Sequence, residues 1–389
     1  MKNFISILKK NTMLIVLVLV FIYFTIMTNG LMFTPLKIRS IVTDYAYVFV
    51  LSTGMLMCML TGGNIDLSCG SFVCFVSAVG GILMVVQNVN PMVSIFAMLA
   101  VGIIYGCVLG FLIAYMNIPP WIATLAGYLA FRGLGTALIT SNSSIGSISP
   151  IPKEFINVFA GTIAATPANQ MNIPCLIVGV VASVIVASMY FLTRANKIKK
   201  GYEADPLWIV IFKAVLSVAA IGVFTYKLAM SGGIPTVLVW VVAIILLYSF
   251  ITSKTTIGRY FYTIGGNAEA TRLSGVDTRK IMFAAYLNMA ILTVVTSYIA
   301  MAKFQSAQPK AGEYYEMDAI SACVVGGVSA YGGSGSVFGM VIGAILIGVI
   351  NTGMYAMNID PNWQKVVKGI VLLAAVVFEI LNNKDKTKA

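Results

Sequence analysis

The hydrophobic residues of this chain fall into long continuous runs that are separated by short polar segments. A membrane-crossing helix needs about 20 apolar residues to span a hydrocarbon core of ~30 Å, whereas a membrane β-barrel shows short alternating segments. The pattern therefore predicts an all-α, polytopic integral membrane protein with about 10–12 transmembrane helices. The tenth run is short and the third begins in a glycine-rich break, which leaves the lower counts open. The predicted spans are 13–32, 41–60, 66–87, 92–115, 119–140, 172–192, 207–228, 235–251, 281–302, 317–331, 336–357 and 364–381.

The composition supports a chain that lies almost entirely in the bilayer. Hydrophobic residues make up 59% of its 389 positions and charged residues only 10%, against roughly 25% charged residues in a soluble domain. No polar stretch is long enough for a separate soluble domain, so residues 1–389 are predicted to form a single membrane-spanning domain. The longest polar stretches are a serine-rich loop at 141–171, predicted to be extracytoplasmic, and a segment at 252–280, predicted to be cytoplasmic.

The distribution of positive charge predicts the orientation. With twelve spans and the N-terminus inside, fifteen lysines and arginines fall on the cytoplasmic side and eight on the outer side, while Arg132 and Lys213 lie within spans. Because cytoplasmic loops carry the excess of such residues, both termini are predicted to be cytoplasmic. Lys37 and Arg39 on the outer side do not fit this rule. The net charge of +12 lies beside the spans, which favours contact with anionic lipid headgroups over a nucleic-acid partner.

One polar stretch interrupts two very apolar runs. Residues 61–70, TGGNIDLSCG, bring two glycines, Asn64 and Asp66 to a position where the neighbouring sequence indicates lipid. Irregular backbone is tolerated at membrane depth only where protein buries it or water fills a cavity. We expect a broken helix here. Asp66 is expected to cap the following helix, and direct contact with a polar solute is the alternative. A tight cytoplasmic turn between the second and third spans, capped by Asp66 and Ser68, is the other interpretation of the stretch.

Two further segments break the apolar pattern. The glycine string at 326–339, GGVSAYGGSGSVFG, predicts a second interruption near 326–336 and shares only a glycine pair and a Gly-Ser with the first. The segment 257–280, IGRYFYTIGGNAEATRLSGVDTRK, is long enough for short helices. Its AEATRL stretch predicts a surface helix that Asn267 starts and Gly275 ends.

The sequence offers little for catalysis or for metal and nucleotide binding. It contains no histidine, and its six cysteines lie in or beside apolar segments without a CxxC pair, so neither the usual zinc sites nor Ser-His chemistry is expected. The string GSGSVFG at 333–339 only approximates a dinucleotide fingerprint, and no G-x-x-x-x-G-K-[ST] string occurs. We therefore expect no catalytic residues and no cofactor in this chain, and ATP would have to be bound elsewhere.

Four ordered motifs resemble the membrane permease subunits of bacterial ABC importers for monosaccharides such as ribose, galactose and xylose. They are GGNIDLSCGS, PPWIATLAGYLAFRGL, the 257–280 segment with the following SAQPKAGEYYEMDAISACVVGGVSAYGGSGSVFG, and NWQKVVKGIVLLAAVVFE. LAGYLAFRG and the additional region 193–251 are most similar to the xylose and multiple-sugar permeases. Asn64, Cys69, Pro120 and Trp121 depart from the family's usual residues, which leaves the sugar open.

The resemblance implies the partners. A second, identical permease copy would complete the pathway in the bacterial inner membrane, an ABC ATPase subunit that binds ATP and Mg would dock on the cytoplasmic face, and an extracytoplasmic sugar-binding protein would deliver the solute. A short coupling helix is expected to contact the ATPase. Its residues are expected to be Gly265, Gly266, Asn267, Glu269, Arg272, Ser274 and Gly275.

The pathway for a neutral sugar is expected to use hydroxyl, amide and aromatic groups. The candidates are Asn64, Asp66, Ser68, Trp121, Phe131, Arg132, Asn288 and Gln305, and for each of them simple packing is an equally good interpretation. The alternative function is that of a secondary transporter or channel that needs no ATPase. It is disfavoured because ion coupling usually requires acids inside the membrane, and the acids here lie near predicted span ends.

Overall fold

The fold is known from a computed structural model that describes residues 12–167, 170–204 and 206–386, without the side chains of 378, 379 and 381–386. Its elements are almost all helical, and two short strands, β1 (Thr162–Ile163) and β2 (Ile234–Pro235), pair antiparallel. The helices are α1 (Thr12–Met27), α2 (Pro35–Thr43), α3 (Ala46–Leu60), α4 (Cys69–Gly81), α5 (Pro91–Ala114), α6 (Pro120–Ser141), α7 (Lys153–Ala160), α8 (Ile173–Lys199), α9 (Leu207–Met230), α10 (Thr236–Lys254), α11 (Thr256–Gly266), α12 (Ala268–Leu273), α13 (Thr278–Phe304), α14 (Tyr315–Val325), α15 (Val337–Ala356) and α16 (Pro361–Lys386).

The prediction of an all-α, polytopic membrane fold is confirmed. Within the described residues, nine helices are long and apolar enough to cross a membrane. Helices α2 and α3 together form one of them, and α4 forms another with the π-helical turn Ile82–Val86 that follows it. The remaining predicted spans correspond to α1, which has 16 residues, to α16, and to the short helix α14.

Glycines let the central helices approach each other closely. On α5, Gly102, Gly106 and Gly110 recur every fourth residue and face α13, where an added Cβ would crowd Val294, Leu287 or Phe283. Small residues at this spacing allow two helix backbones to pack tightly inside a bilayer, where there is no hydrophobic drive to bring helices together. The core of the bundle is therefore built around α3, α5 and α13.

Helices α4 and α14 each begin inside this core after an irregular segment, and they run in opposite directions; we call these two helices the half-helices, although only α14 is short. Helix α3 is antiparallel to α13, because Gly54 faces Met289 while Asp44 pairs with Lys303. Helix α14 is parallel to α3, since Tyr47 bonds to Asp318 and Ser52 faces Cys323. The N-termini of α4 and α14 meet at Gly70 and Gly312. The two halves of the core therefore have inverted topology, an arrangement found in many transporters.

The helical pattern is interrupted at 61–68 and at 326–336, as predicted, and also at 305–314. The tenth predicted span, 317–331, was already expected to be short, and α14 is shorter still, with 11 residues and a length of only about 16 Å. The structural counterpart of 61–70 is thus the segment before α14 and not the glycine string after it. The segment 141–171 is more ordered than a plain loop, since it contains α7 and β1.

Candidate functional site

Asp66 lies in the irregular turn that leads into α4 and is almost completely buried, with 1% of its surface exposed. Its Oδ1 accepts hydrogen bonds from the backbone N–H of Ser68 at 2.8 Å and from the Ser68 hydroxyl at 2.5 Å. Ser68 Oγ in turn accepts a hydrogen bond from the Tyr105 hydroxyl at 2.6 Å. Asn64 fixes the same turn by donating to the Thr61 carbonyl at 3.1 Å. Ser68 is the N-cap residue of α4, and no side chain makes a cap hydrogen bond there, so Asp66 binds the N-cap residue from the preceding turn and is not itself the cap that the sequence predicted.

The N-termini of α4 and α14 meet without space for a side chain between them. A Cβ added at Gly70 would overlap the Gly312 carbonyl oxygen and Glu316 Oε2, and Gly312 itself has a φ of +74°. Glu316 is 1% exposed, and its Oε2 has no hydrogen-bond partner among the described residues. The starts of the two helices therefore pack directly on each other, with the Glu316 carboxyl group buried against Gly70.

Arg132 holds the segment that precedes α14. From α6, its guanidinium donates to the carbonyl oxygens of Pro309 at 3.1 Å, Ala311 at 3.0 Å and Gly312 at 3.1 Å. An arginine has five donors in a fixed plane, so it can bind several neighbouring carbonyls at once. Arg132 therefore supplies partners to backbone groups that no helix satisfies.

Phe131 belongs to an aromatic cluster beside the Asp66 turn. Its ring centre lies 4.8 Å from that of Phe72, 5.0 Å from that of Phe75 and 4.6 Å from that of Tyr105. Since Tyr105 also donates to Ser68, the cluster connects Phe131 to the Asp66 turn. The structure thus brings five of the eight predicted pathway residues to the two half-helices: Asn64, Asp66, Ser68, Phe131 and Arg132.

The other three predicted pathway residues lie elsewhere. Trp121 begins α6 and is 58% exposed. Asn288 accepts a hydrogen bond from the Tyr248 hydroxyl of α10. Gln305 ends α13 in the left-handed region, with a φ of +53°, and lines a cleft of 230 Å³ with Arg39, Asp44 and Lys303. These three residues do not form one site with the half-helices in this conformation.

An ion pair on α14 was not among the predicted site residues. Asp318, whose side chain is 3% exposed, pairs with Lys368 of α16 at 2.9 Å and accepts a hydrogen bond from the Tyr47 hydroxyl at 2.5 Å. Tyr47 stacks on Tyr315 with ring centres 3.6 Å apart. The available signal was the EYYEMD string, which places three acids at the beginning of an apolar run.

Three glycine pairs meet at one end of the bundle, and we call this contact the glycine junction: Gly62–Gly63, Gly265–Gly266 and Gly332–Gly333. The Gly333 N–H donates to the Leu60 carbonyl at 3.1 Å, and a Cβ added at Gly265 would overlap both of these groups. A Cβ at Gly332 would crowd Gly62, and the first and third pairs have positive φ. The junction joins the predicted coupling segment to the turn before α4 and to the loop after α14.

The predicted coupling helix is present as α12. Asn267 Oδ1 accepts the Ala270 N–H at 2.9 Å, and Gly275 follows the helix with a φ of +86°, so the predicted start and stop are confirmed. Glu269 and Arg272 form an ion pair of 2.6 Å on its surface, with side chains 64% and 65% exposed. Both charges are therefore accessible to a partner, although they pair with each other here.

The boundary residues of this segment are also in place. Ser274 closes the last turn by donating its hydroxyl to the Ala270 carbonyl at 2.9 Å. Asp277 caps α13, and the Lys280 backbone N–H is the main cause that lowers the pKa of its carboxyl group below the usual value. The described residues contain no group of three or more His, Cys, Asp or Glu side chains that could hold a metal ion.

We expect Arg132→Gln to lower the free energy of unfolding by about 3 kcal/mol, because three backbone carbonyls lose a charged donor. Thermal unfolding of the purified chain in detergent measures this loss. Lys310→Gln is the control, since Lys310 lies in the same segment but is exposed. Equal unfolding temperatures for the two variants would contradict the assigned role of Arg132.

Comparison with known proteins identifies the family. A family model described as "Branched-chain amino acid transport system / permease component" matches residues 37–376. Curated relatives include the xylose transport system permease protein of Haemophilus influenzae, 32% identical over 379 residues and 97% of each chain. The ribose import permease protein of Escherichia coli is 29% identical, over 96% of this chain and 94% of the relative. The fructose import permease protein of Rhizobium meliloti is 26% identical, over 94% and 84%. No solved structure matches. Because the family model covers most of the chain and the relatives align with nearly all of it, this protein belongs to that family of transport-system permease components.

Proposed function

We propose that this chain is the permease subunit of an ATP-driven ABC importer for a monosaccharide such as xylose, ribose or galactose. The observation that carries the proposal is the match along 97% of the chain to a xylose transport system permease protein. The bundle with inverted half-helices is consistent with a solute carrier, because such breaks commonly mark the pathway in transporters. The same match disfavours an ATPase-independent channel or secondary transporter.

The proposed topology puts the glycine junction and α12 at the cytoplasmic side of the bacterial inner membrane. The bias of lysine and arginine toward this side supports both termini being cytoplasmic. The outer-side exception at Arg39 has a structural role, since its guanidinium donates to the Ser231 carbonyl and to Thr162 Oγ1 at 2.7 Å. It ties α2 to the turn after α9, so its position reflects packing and not the orientation signal.

Coupling to the ATPase is proposed to run through α12 and the glycine junction. Helix α12 carries the exposed Glu269–Arg272 pair and ends at Leu273, which is 79% exposed. Gly265 lies in α11, directly before α12, and touches Leu60 and Gly333. A displacement of α12 that moves α11 would therefore reach the turn before α4 and the loop after α14. Coupling thus has a short mechanical route to both half-helices.

Asp66 and Glu316 are each 1% exposed, so neither side chain is accessible to a solute in this conformation. We infer that solute passes only when the half-helices separate or along the face between two identical permease copies. The candidates with hydroxyl and amide groups near the half-helices are Asn64, Asp66 and Ser68. An extracytoplasmic sugar-binding protein is proposed to deliver the sugar, and ATP with Mg is proposed to bind only to the ATPase subunit.

Reconstitution tests this function. Proteoliposomes that contain this chain, its ATPase and its binding protein are expected to accumulate radiolabelled monosaccharide when ATP is supplied. Omission of any one component, or an ATPase variant that cannot hydrolyse ATP, should abolish uptake. Uptake driven by an ion gradient without the ATPase would overturn the proposal.

We expect Glu269→Ala combined with Arg272→Ala to reduce ATP-driven uptake severalfold while the fold stays intact. An exposed ion pair contributes only about 0.5 kcal/mol to stability, so its loss should act on the ATPase contact instead. The measurements are uptake and thermal unfolding of the same preparation. Lys153→Ala with Glu154→Ala, an exposed pair in α7 at the other end of the bundle, is the control, and an equal loss of uptake there would contradict the prediction.

A further inference from the structure

Helices α8 and α9 form a hairpin that packs mainly on itself. Gly179 faces the Thr225 side chain, and the Tyr190 hydroxyl lies 3.2 Å from Ser217 Oγ. In each of the two helices, only 11% of the 18-residue apolar stretch is buried within the protein. The apolar outer surface of this hairpin is therefore suited to contact with lipid.

The hairpin contains an apolar groove near the end where α8 finishes and α9 begins. The groove has a volume of 410 Å³. Apolar side chains from both helices form its walls, so the groove matches a hydrocarbon chain and not a sugar or a phosphate. The residues that line it are Ala187, Phe191, Ile211, Ala214, Val215, Val218 and Ala219.

Positive charge lies directly beyond this groove. Helix α8 has 27 residues and is about 40 Å long, which exceeds a hydrocarbon core of ~30 Å. Its apolar run ends at Leu192, and the continuation exposes Lys197, Lys199 and Lys200. If the groove lies among the lipid acyl chains, these ammonium groups lie at the level of the lipid headgroups.

Two aromatic side chains support this depth. Tyr202, in the turn between α8 and α9, is 67% exposed, and Trp208, in the first turn of α9, is 68% exposed. Tyrosine and tryptophan are enriched at the boundary between headgroups and hydrocarbon. The mouth of the groove is therefore at the membrane interface, where phosphates are.

We propose that this hairpin binds an anionic phospholipid, with one acyl chain in the groove and the headgroup phosphate at Lys197, Lys199 and Lys200. The two parts of the site match the two parts of that ligand: apolar walls for the acyl chain, and three exposed lysines within four positions of the chain for the phosphate. A zwitterionic lipid can place an acyl chain in the groove, but it has no net negative charge to attract the lysines. The site is separate from α12 and the half-helices, so its occupancy can be measured without sugar transport.

Native mass spectrometry of the intact chain with dioleoyl phosphatidylglycerol or dioleoyl phosphatidylcholine tests the proposal. We expect phosphatidylglycerol to bind about tenfold more tightly, because each lysine adds attraction to an anionic headgroup. The triple variant Lys197→Gln, Lys199→Gln, Lys200→Gln should remove this preference. Val218→Trp, which fills the groove, should weaken binding of phosphatidylglycerol even though every lysine remains.

Matched controls separate this site from general lipid contact. Lys254→Gln, Arg259→Gln and Lys280→Gln remove three other exposed cations, and Ile185→Trp adds the same bulk to an exposed position on α8 two residues from the groove wall. Both should leave the phosphatidylglycerol affinity within about twofold of the unaltered chain. Equal affinity for the two lipids, an equal loss in either control, or displacement of the lipid by inorganic phosphate would overturn the proposal.

Discussion

Gly265→Ala is expected to abolish ATP-driven uptake and to destabilise the fold. A Cβ at this position would overlap the Leu60 carbonyl oxygen and the Gly333 backbone nitrogen, and backbone groups cannot rotate away as a flexible side chain can. Relief requires that α11 move away from the turn before α4, which breaks the glycine junction. Overpacking of this kind costs about 1–3 kcal/mol and sometimes more. Thermal unfolding and uptake, measured on one preparation, record both effects.

The adjacent glycine provides the control for this prediction. A Cβ at Gly266 would meet no atom within 4 Å, so Gly266→Ala makes the same chemical change one residue along without a clash. It should stay within about 1 kcal/mol of the unaltered chain, as an alanine is slightly favoured over a glycine in a helix. If both variants transport normally, the glycine junction does not carry coupling.

The local features of this fold could be predicted from the sequence because short-range physics determines them. Long apolar runs specify spanning helices, and an asparagine followed by a glycine eight residues later specifies the small helix α12, whose start at Asn267 and end at Gly275 the structure confirms. The interruption at 61–68 was also evident, because glycines and Asp66 cannot continue a lipid-facing helix. In each case the deciding residues lie within one or two turns of each other.

The long-range features could not be predicted in this way. The sequence contains six Gly-Gly pairs, and nothing local indicates that the three that begin at Gly62, Gly265 and Gly332 contact one another. The length of α14 was overestimated because Val328 and the glycines after Val325 extend its apolar run without extending its helix. Arg132 was taken for a possible solute ligand, whereas its partners here are three carbonyls about 180 positions further along the chain. Such pairings depend on the tertiary fold.

Gly70→Ala is expected to prevent the two half-helices from packing. Gly70 begins the first turn of α4, and an added Cβ would overlap the Gly312 carbonyl oxygen and Glu316 Oε2. Glu316 is buried and Gly312 is held by Arg132, so the Gly312 carbonyl cannot withdraw without breaking its hydrogen bond to Arg132. We expect the free energy of unfolding to fall by about 3 kcal/mol or more, with uptake lost as well.

Gly133→Ala makes the matched comparison, because Gly133 is a helical glycine of α6 with no atom within 4 Å of an added Cβ. Removal of a glycine from an exposed helix position should raise the free energy of unfolding by about 0.5–1 kcal/mol. The change in the free energy of unfolding is therefore expected to have opposite signs for the same Gly→Ala substitution at these two helical positions. Thermal unfolding of both variants in detergent measures these two effects. A loss of stability of similar size for Gly133→Ala would mean that the effect at Gly70 does not come from the contact between the N-termini of α4 and α14. A stable Gly70→Ala chain that still imports sugar would contradict the prediction.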